Sequence, residues 1–273
     1  MSGNLYLVAT PIGNLEDITL RAIKTLNEAD FIAAEDTRHS LKLLNHLNIS
    51  KPLISYHRHN EDFKSELLIE KLLDGKNIAL ITDAGTPGIS DPGEEIVKQC
   101  INNNINIIPI PGACAFINAL ICSGLDTTEF TFIGFLPLNK KNRKEKLDLI
   151  KNCSSTSILY EAPHKIISTL QDLSKILESR KLVLAKELTK IHETFLRGTA
   201  KELLEKLENP KGEFVILIEK NIKDADEASF INSISLEEHY KIYEAQGFSK
   251  NEIIKKIAKD RNVNKNEIYK NFI

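Results

Sequence analysis

Residues 80–93 read LITDAGTPGISDPG, an apolar strand that runs directly into a long turn. The glycines of this turn permit φ above zero or a close approach of the backbone to a ligand, while its prolines fix φ and remove amide donors. Strand 77–82 is predicted to end at the edge of a sheet, with a helix beginning after Pro92. Because ligands bind where the strands of an open α/β sheet end, the turn predicts a small-molecule site. The alternative is a sharp strand-to-helix connection without a ligand.

Two other predicted strands end in turns of the same kind. Strand 5–10 is followed by Pro-Ile-Gly-Asn at 11–14, and strand 106–110 by Pro-Gly-Ala-Cys-Ala-Phe at 111–116. At one edge of a parallel sheet, these turns would present main-chain N–H and C=O groups to a ligand with amide-like or purine edges. The sequence contains neither the G-x-G-x-x-G fingerprint nor the G-K-S/T of a phosphate-binding loop, so a different kind of loop must hold the ligand.

Apolar strands alternate with amphipathic helices over the first 120 residues, which is typical of βαβ units around a mainly parallel sheet. The second half begins with a strand, FTFIGF, and a basic helix near residue 140. Four further strands and helices near 164–178 and 199–207 predict a mixed sheet; those strands are SILYEA, LVLAKE, HETFLRG and EFVILIE. The fold class is therefore α/β, with an N-terminal α/β domain over 1–120 and a second α/β domain over 121–222.

The rest of the chain divides into an acidic linker and a basic helical appendage. The linker is predicted over 223–235 and the appendage over 236–273, with Ser249 as the N-cap of a helix. A turn at 262–264 separates that helix from a last one, so the appendage resembles a helix-turn-helix. Its basic pattern predicts RNA binding, and the alternative is a charged tail that only packs on the body.

Overall composition excludes several classes of protein. The net charge of −2 over 273 residues argues against a uniformly basic nucleic-acid binder, so any contact with RNA must come from local clusters. The four cysteines show no C-x-x-C pair or zinc spacing, and the N-terminus lacks the features of a signal peptide, which predicts a reduced, cytoplasmic protein without a metal. No apolar run approaches the roughly 20 residues that span a bilayer, so no membrane segment is expected.

Seven motifs occur in an order that resembles the tetrapyrrole methylase superfamily. They are VATPIGNLEDIT, AEDTR, DAGTPGISDPG, PGACAF, YEAPHK, KELTK and GEFVI. Within the superfamily the motifs are most similar to the ribosomal RNA small subunit methyltransferase I family, from about residue 4 to 220 and again in the tail. The resemblance implies two α/β domains of the class III methyltransferase type with S-adenosylmethionine in the cleft between them. It also implies 2′-O-methylation of a cytidine in 16S rRNA of the small ribosomal subunit, and a homodimer.

The positions that match the superfamily's donor-binding motifs imply a donor held largely by backbone atoms. These positions are Ile12, Asp83, Gly85, Thr86, Pro87, Ile89, Cys114, Ala115, Phe116, Tyr160, Ala162 and Phe214. Cys114 departs from the small hydroxyl residue often found at its position. Because a thiol is of similar size and forms weaker hydrogen bonds, this departure affects one side-chain contact and not the site.

Transfer of a methyl group to a ribose hydroxyl requires removal of a proton, since the hydroxyl ionises only at high pH. A general base or a cation that stabilises the alkoxide is therefore expected. Polar residues at two strand ends are the catalytic candidates: Asp36 and Arg38, beside Glu35, and Lys186 with Glu187. The alternatives are structural. Asp36 would cap the helix that begins near residue 39, and the Lys-Glu pair would be a surface salt bridge worth little.

Binding of RNA needs cations for the phosphates, and unpaired bases favour aromatic or arginine planes. The candidates form three basic clusters, one beside Tyr56, one near residue 140 and one in the appendage, together with a lysine after the strand LVLAK. They are Arg58, Lys140, Lys141, Arg143, Lys190, Lys255, Lys256 and Lys265. The alternative for each cluster is a solvated basic face.

Two other functions compete with methylation of rRNA. The same donor site could serve a tetrapyrrole or another small molecule, which would require neither the basic tail nor the internal lysine cluster. The chain could also be a non-catalytic RNA-binding protein that keeps the fold, which would bind the donor without transferring its methyl group. Nucleotide hydrolysis is disfavoured because the phosphate loop is missing.

Overall fold

The computed structural model describes residues 2–177, 179–207, 210–221, 231, 233–261 and 263–272. The strands are β1 (Asn4–Val8), β2 (Phe31–Ala34), β3 (Leu53–Ser55), β4 (Ile78–Ile81), β5 (Asn106–Ile110), β6 (Phe130–Phe135), β7 (Thr156–Glu161), β8 (Leu182–Lys186), β9 (Thr194–Gly198) and β10 (Phe214–Ile218). The α-helices are α1 (Leu20–Glu28), α2 (Thr37–His46), α3 (Glu61–Leu73), α4 (Glu94–Asn102), α5 (Ala115–Ile121), α6 (Lys140–Asn152), α7 (Ile166–Ile176), α8 (Ala200–Lys206), α9 (Leu236–Ala245), α10 (Lys250–Asp260) and α11 (Lys265–Lys270).

The first sheet is parallel and has the strand order β3-β2-β4-β1-β5. Every residue of the central strand β4 is buried, as expected for a parallel strand that is covered on both faces. Side chains of α3 and α4 pack on one face, and those of α1 and α2 pack on the other. The carboxyl ends of β1, β2, β4 and β5 therefore lie at one edge of the sheet.

The second sheet is mixed and has the order β6-β7-β10-β8-β9. Strands β6 and β7 are parallel, while β10 is antiparallel to both β7 and β8. Helices α6, α7 and α8 cover one face, and Ala119 and Leu120 of α5 pack on the other. Because β10 runs in the opposite direction, its first residue, Phe214, lies beside the last residues of β7 and β8.

Helices α9, α10 and α11 form a small bundle around four buried isoleucines: Ile253, Ile254, Ile257 and Ile268. The predicted cap at Ser249 is confirmed, because Ser249 is the N-cap of α10 and its amide and hydroxyl both donate to the Glu252 carboxylate, at 3.0 and 2.6 Å. Helix α9 is an additional element that the sequence pattern did not predict. The fold class of two α/β parts with a C-terminal helical appendage is confirmed.

The domain limits remain predictions. Most of the acidic linker, residues 223–230 and 232, lies outside the described residues. Helix α5 packs against the second sheet, so the core of that sheet begins before residue 121. Among the predicted strands, 106–110 agrees with β5, whereas β1 ends at Val8 because Thr10 pairs with Gly85 instead. In the described part of the chain, no helix has both the length and the apolar character needed to cross a membrane.

Candidate active site

A cavity of about 480 Å³ lies where the carboxyl edge of the first sheet meets the second sheet. Its volume falls within the range of roughly 300–1,000 Å³ that is typical of small-molecule sites. The wall includes residues from the ends of eight strands and the turns next to them: Ile12, Glu35, Asp83, Ala84, Gly85, Thr86, Ile89, Ser90, Asp91, Cys114, Ala115, Phe135, Tyr160, Glu161, Ala162, Pro163, His164, Glu187, Leu188, Lys190, Glu213, Phe214 and Val215.

Hydrogen bonds tie the three glycine- and proline-rich turns together at this edge. Thr10 and Gly85 exchange two main-chain hydrogen bonds of 2.9 and 3.1 Å. The Thr86 hydroxyl donates to the Ala113 carbonyl at 3.0 Å, which joins the turn after β4 to the turn after β5. Gly85 has a φ of +87°, a conformation that disfavours a side chain. The three predicted turns thus form one preorganised wall of the cavity.

The turn after β1 also touches the second half of the chain directly. The Asn14 amide donates to the Thr189 hydroxyl at 3.0 Å. A Cβ atom at Gly13 would lie only 2.7 Å from the Leu188 carbonyl oxygen and 2.6 Å from Cγ of Lys190. Gly13 therefore permits an approach between the two halves that no larger residue would allow without displacement.

The charge of the cavity is strongly negative. Six of its described wall side chains are carboxylates, against one lysine, and that lysine, Lys190, already pairs with Glu187 at 3.0 Å. Burial, together with the smaller effects of the charges of Glu35, Asp83 and Glu213, raises the pKa of Asp91 to about 6. Burial and the charge of Asp83 likewise raise the pKa of Glu35. Carboxylates that disfavour one another's ionisation make a favourable site for a ligand that carries positive charge.

Arg58 lies at the rim and holds the loop that carries Asp91. Its guanidinium donates a hydrogen bond to the Ser90 carbonyl. Its positive charge acts on Asp91 and Glu35, where it lowers both pKa values against the larger effect of burial. Ser90 has a φ of +67°, which is uncommon outside glycine and is maintained here by these surroundings.

An aromatic row of Phe116, Phe132 and Tyr160 supports the wall, and Tyr160 is the member of this row that lines the cavity. The rings of Phe116 and Phe132 stack with centroids 4.5 Å apart, and Phe132 meets Tyr160 edge-on at 5.1 Å. The Tyr160 hydroxyl accepts a hydrogen bond from the Phe116 amide at 3.3 Å. Burial raises the pKa of Tyr160, so its phenol stays neutral. The site thus combines an acidic half with an aromatic half.

The structure brings most of the predicted donor-binding residues to this cavity. Ten of the twelve form part of its wall: Ile12, Asp83, Gly85, Thr86, Ile89, Cys114, Ala115, Tyr160, Ala162 and Phe214. The other two lie just behind it, Pro87 buried within the turn and Phe116 in the aromatic row. Burial raises the pKa of Cys114, so the thiol at this position is a neutral group.

The predicted catalytic residues are divided between the cavity and its surroundings. Glu187 belongs to the wall, while Lys186 occupies the last position of β8 behind it. Asp36 caps α2, because its carboxylate accepts hydrogen bonds from the amides of Arg38 and His39. Arg38 is almost fully exposed beside it, 3.8 Å from the Asp36 carboxylate. The structural alternative for Asp36 is thus present, and the catalytic roles of these residues stay predictions.

The predicted RNA-binding residues also occupy different environments. Lys140 and Lys141 are exposed at the start of α6, and Lys255 and Lys265 are exposed on the bundle. Lys256 lies over the Tyr243 and Phe248 rings, at 5.2 and 4.3 Å from their centroids. Lys190 is part of the cavity wall, and Arg58 holds the loop of the wall residue Asp91.

Arg143 has a structural partner that its place in a basic run did not reveal. Its guanidinium donates to Asp172 at 3.0 Å and to the Thr169 hydroxyl at 2.9 Å. Thr169 in turn donates to the buried carboxylate of Glu161 at 2.6 Å. Arg143 therefore supports the back of the cavity wall through Thr169.

These contacts predict different effects for two neighbouring substitutions on α6. Arg143→Gln should lower the free energy of unfolding by about 1.5–3 kcal/mol, because it removes charge-assisted hydrogen bonds from a largely buried network. Lys140→Gln, the control on the exposed side of the helix, should leave thermal stability unchanged. Melting curves compare the two variants, and equal melting temperatures would contradict the structural role of Arg143.

Ten wall residues were not predicted to belong to the site: Ala84, Ser90, Asp91, Phe135, Glu161, Pro163, His164, Leu188, Glu213 and Val215. Glu35 was recognised only as a neighbour of the catalytic candidates. All of these residues lie within three residues of a strand end or in the turn at 80–93, so their position along the chain was the available signal. Among the described residues, no group of three or more His, Cys, Asp and Glu side chains is placed to hold a metal ion.

Comparison with known proteins agrees with this arrangement. Residues 4–204 match the family model of the tetrapyrrole (corrin/porphyrin) methylases. The chain is 50% identical over 270 residues to ribosomal RNA small subunit methyltransferase I of Halalkalibacterium halodurans, covering 98% of this chain and 93% of that protein. It is 47% identical over 270 residues to the protein of the same name from Synechocystis, covering 98% and 96%.

A solved structure of diphthine synthase has the same fold, with a TM-score of 0.61 at 16% identity, covering 80% of this chain and 90% of that one. The near-complete coverage by relatives at this level of identity decides the family. The chain belongs to the tetrapyrrole methylase family and, within it, to the ribosomal RNA small subunit methyltransferase I proteins.

Proposed function

We propose that this protein transfers a methyl group from S-adenosylmethionine to the ribose 2′-hydroxyl of a cytidine in 16S rRNA of the small ribosomal subunit. The observation that carries the proposal is an acidic, partly aromatic cavity between two sheets, in a chain whose near-full-length relatives are named for small-subunit rRNA methylation. The finer points, cytidine and its 2′-oxygen, follow from the motif resemblance. An rRNA substrate would place the protein in the cytoplasm.

The residues of the cavity fit the proposed donor. S-adenosylmethionine carries a sulfonium and an ammonium group, and the carboxylates of Glu35, Asp83, Asp91 and Glu213 offer the opposite charge. The main-chain groups of the turns at 10–13 and 83–86 suit the edges of a purine and a ribose. When bound, the donor supplies a methyl group already activated by the positive sulfur, so the protein's main task is alignment.

Removal of the proton from the 2′-hydroxyl falls to a carboxylate of the wall, and Asp91 is the best placed. It is half-buried and lies in the cavity, and its pKa of about 6 leaves it ionised yet basic near neutral pH. Arg58 fixes the position of its loop through the Ser90 carbonyl. Glu35 lies on the same wall and adds to its negative charge. Lys190 is held by Glu187 beside the cavity, where its ammonium can meet a phosphate of the RNA.

Outside the cavity, lysines of α6 and of the C-terminal bundle offer a path for the RNA backbone. Lys140 and Lys141 begin α6 shortly after the wall residue Phe135, while Lys255, Lys256 and Lys265 belong to the C-terminal bundle. Phosphate contacts position a nucleic acid without reading its bases. We therefore propose that these lysines hold the strand while the target nucleotide enters the cavity.

The decisive experiment is transfer of radiolabelled methyl from S-adenosylmethionine to small ribosomal subunits that lack native modifications. Nuclease digestion and nucleoside mass spectrometry should then identify 2′-O-methylcytidine. Label in a different nucleoside would contradict the assignment to cytidine and its 2′-oxygen. Donor binding without label in any RNA would contradict the function itself and favour a small-molecule substrate.

The catalytic roles of Asp36 and Lys186 have a separate test. Asp36→Ala and Lys186→Ala should cut turnover with little loss of donor affinity if the sequence-based assignment is right. Asp36→Ser is the control, because serine can cap α2 as aspartate does but carries no charge. Wild-type turnover in Asp36→Ser, together with a loss in Asp36→Ala, would assign Asp36 to capping alone. Unchanged turnover in all three variants would remove both residues from the reaction.

We further propose that the protein acts as a homodimer, which rests on the family resemblance. Small-angle scattering should give a mass of about twice 30.7 kDa. A monomeric mass at micromolar concentration would contradict this.

A further inference from the structure

Phe135 is a large aromatic residue that lines the cavity and yet remains 56% exposed. Leaving a phenylalanine side chain in water forgoes much of the free energy that its burial would provide. One side of the ring is supported, because it lies 5.7 Å from Tyr160 between centroids. Tyr160 is itself fixed by its hydrogen bond to Phe116 and its contact with Phe132. Phe135 is therefore the open end of an otherwise packed aromatic row.

A β-bulge places this ring on the cavity side. Successive strand residues point to opposite faces, so Phe132 and Phe135, three positions apart, would normally point in opposite directions. In β6 the register shifts between Phe132 and Gly134, so that Phe132 pairs with Ile158 and Phe135 pairs with Tyr160. These two partners share one face of β7. The extra residue thus turns Phe135 toward the cavity, a common use of bulges beside active sites.

Gly134 makes the bulge possible, because its φ is +72°. A Cβ atom there would lie 3.3 Å from the Ser90 hydroxyl oxygen, in the loop that carries Asp91. The bulge therefore brings Phe135 and the Asp91 loop to the same region of the cavity. A group that stacks on Phe135 lies near the carboxylate proposed to accept the proton.

We propose that Phe135 is the platform on which the target cytosine base stacks, an inference that rests on the proposed methylation of RNA. Unpaired bases stack on exposed aromatic rings in many single-strand binding proteins. Lys140 and Lys141 follow Phe135 by only five and six residues along the chain and are exposed at the start of α6, where they offer cations for the flanking phosphates. The base of a splayed nucleotide would meet Phe135, and its ribose would face Asp91.

A matched pair of substitutions tests the platform. Phe135→Leu keeps an apolar side chain but removes the flat ring, whereas Phe130→Leu makes the same change at a ring of the same strand that is 41% exposed and outside the cavity wall. Phe135→Leu should raise the KM for small subunits roughly tenfold or more, with the affinity for S-adenosylmethionine unchanged. Phe130→Leu should keep the wild-type KM. Phe135→Tyr, which keeps an aromatic ring, should also keep it. Equal KM values for Phe135→Leu and wild type would overturn the proposal.

A second measurement reads the contact without methyl transfer. Small subunits reconstituted with 5-bromocytidine-substituted 16S rRNA are irradiated with the protein, and the cross-linked peptide is identified by mass spectrometry. A cross-link at Phe135 supports the platform, and cross-links that map only elsewhere overturn it. A cross-link at Phe135 in a protein that transfers no methyl group would contradict the proposed function while the stacking contact stands.

Discussion

Replacement of Asp91 by Asn is expected to lower kcat for methyl transfer about 100-fold or more, the usual effect of removing a general base. The carboxylate is half-buried in the cavity, and burial with its acidic neighbours raises its pKa to about 6. An amide of the same shape cannot accept the proton of the ribose hydroxyl. The affinity for S-adenosylmethionine should change far less, because several other carboxylates remain. Single-turnover kinetics and calorimetry separate the two quantities.

The pH dependence of the wild-type reaction gives an independent check. Since Asp91 must be ionised to act as a base, kcat/KM, which reports the free enzyme, should rise with pH through about 6 and then level off. Glu213→Gln removes a charge from the same cluster of carboxylates at a more exposed position. It should lower kcat much less than Asp91→Asn does. Equal losses of kcat in the two variants would mean that Asp91 contributes only negative charge to the cavity and does not accept the proton.

Asp91→Asn should make the ligand-free protein more stable at neutral pH. The pKa of Asp91 is about 6 in the folded chain against an ordinary value of 3.8, so its ionisation at pH 7 disfavours folding. Asn removes this cost. The gain in melting temperature should therefore be full above about pH 6 and shrink as the pH falls toward 4, where the native carboxyl is also neutral. A lower melting temperature at pH 7 would contradict the raised pKa.

Local sequence patterns predicted the turns of the cavity wall well, because the conformations at Gly85 and Pro87 depend mainly on nearby residues. The rule that ligands bind at the carboxyl ends of parallel strands then placed those turns together. The second sheet was harder to predict. Strand β10 lies between β7 and β8 although it follows both in the chain, and that order depends on tertiary packing that no local pattern records.

The environments of Glu35, Phe135 and Arg143 were not predicted, because they also depend on tertiary structure. Glu35 and Asp36 are adjacent in sequence, yet one faces the cavity and the other caps α2, because β2 ends at Ala34 and the chain turns there. Phe135 reaches the cavity only through the bulge at Gly134. Arg143 binds Asp172, 29 residues away on another helix, whereas its place in a basic run predicted an RNA contact or a solvated basic face. Such pairings depend on how distant elements pack.

Gly13→Ala and Gly3→Ala are expected to have different effects, although both change a glycine beside the first strand. Gly3 precedes β1, and a Cβ there would lie 2.0 Å from the Lys76 carbonyl oxygen, far from the cavity. Gly13 follows β1, and its Cβ would meet the Leu188 carbonyl at 2.7 Å, where the two halves of the chain approach. The first substitution disturbs packing at the amino end of the sheet, and the second disturbs the wall of the site.

Gly3→Ala should reduce the free energy of unfolding by about 1–3 kcal/mol or more, the usual range for an overpacked site. Its turnover per folded molecule should stay at the wild-type value. Gly13→Ala should separate the turn after β1 from residues 188–190, and a displacement of about 1 Å in a catalytic arrangement can reduce turnover about 100-fold. Donor affinity should fall as well, because Ile12 in the same turn lines the cavity.

Chemical denaturation and donor titration on the two variants distinguish these outcomes. The approach of the two halves is functionally important if Gly13→Ala remains folded, binds S-adenosylmethionine more weakly and methylates small subunits slowly, while Gly3→Ala is merely less stable. Normal donor binding and turnover in Gly13→Ala would mean that Lys190 and the loop around Thr189 yield to the new methyl group. In that case the short distance at Gly13 would have no role in function. The preorganised wall would then consist of the turns after β4 and β5 alone.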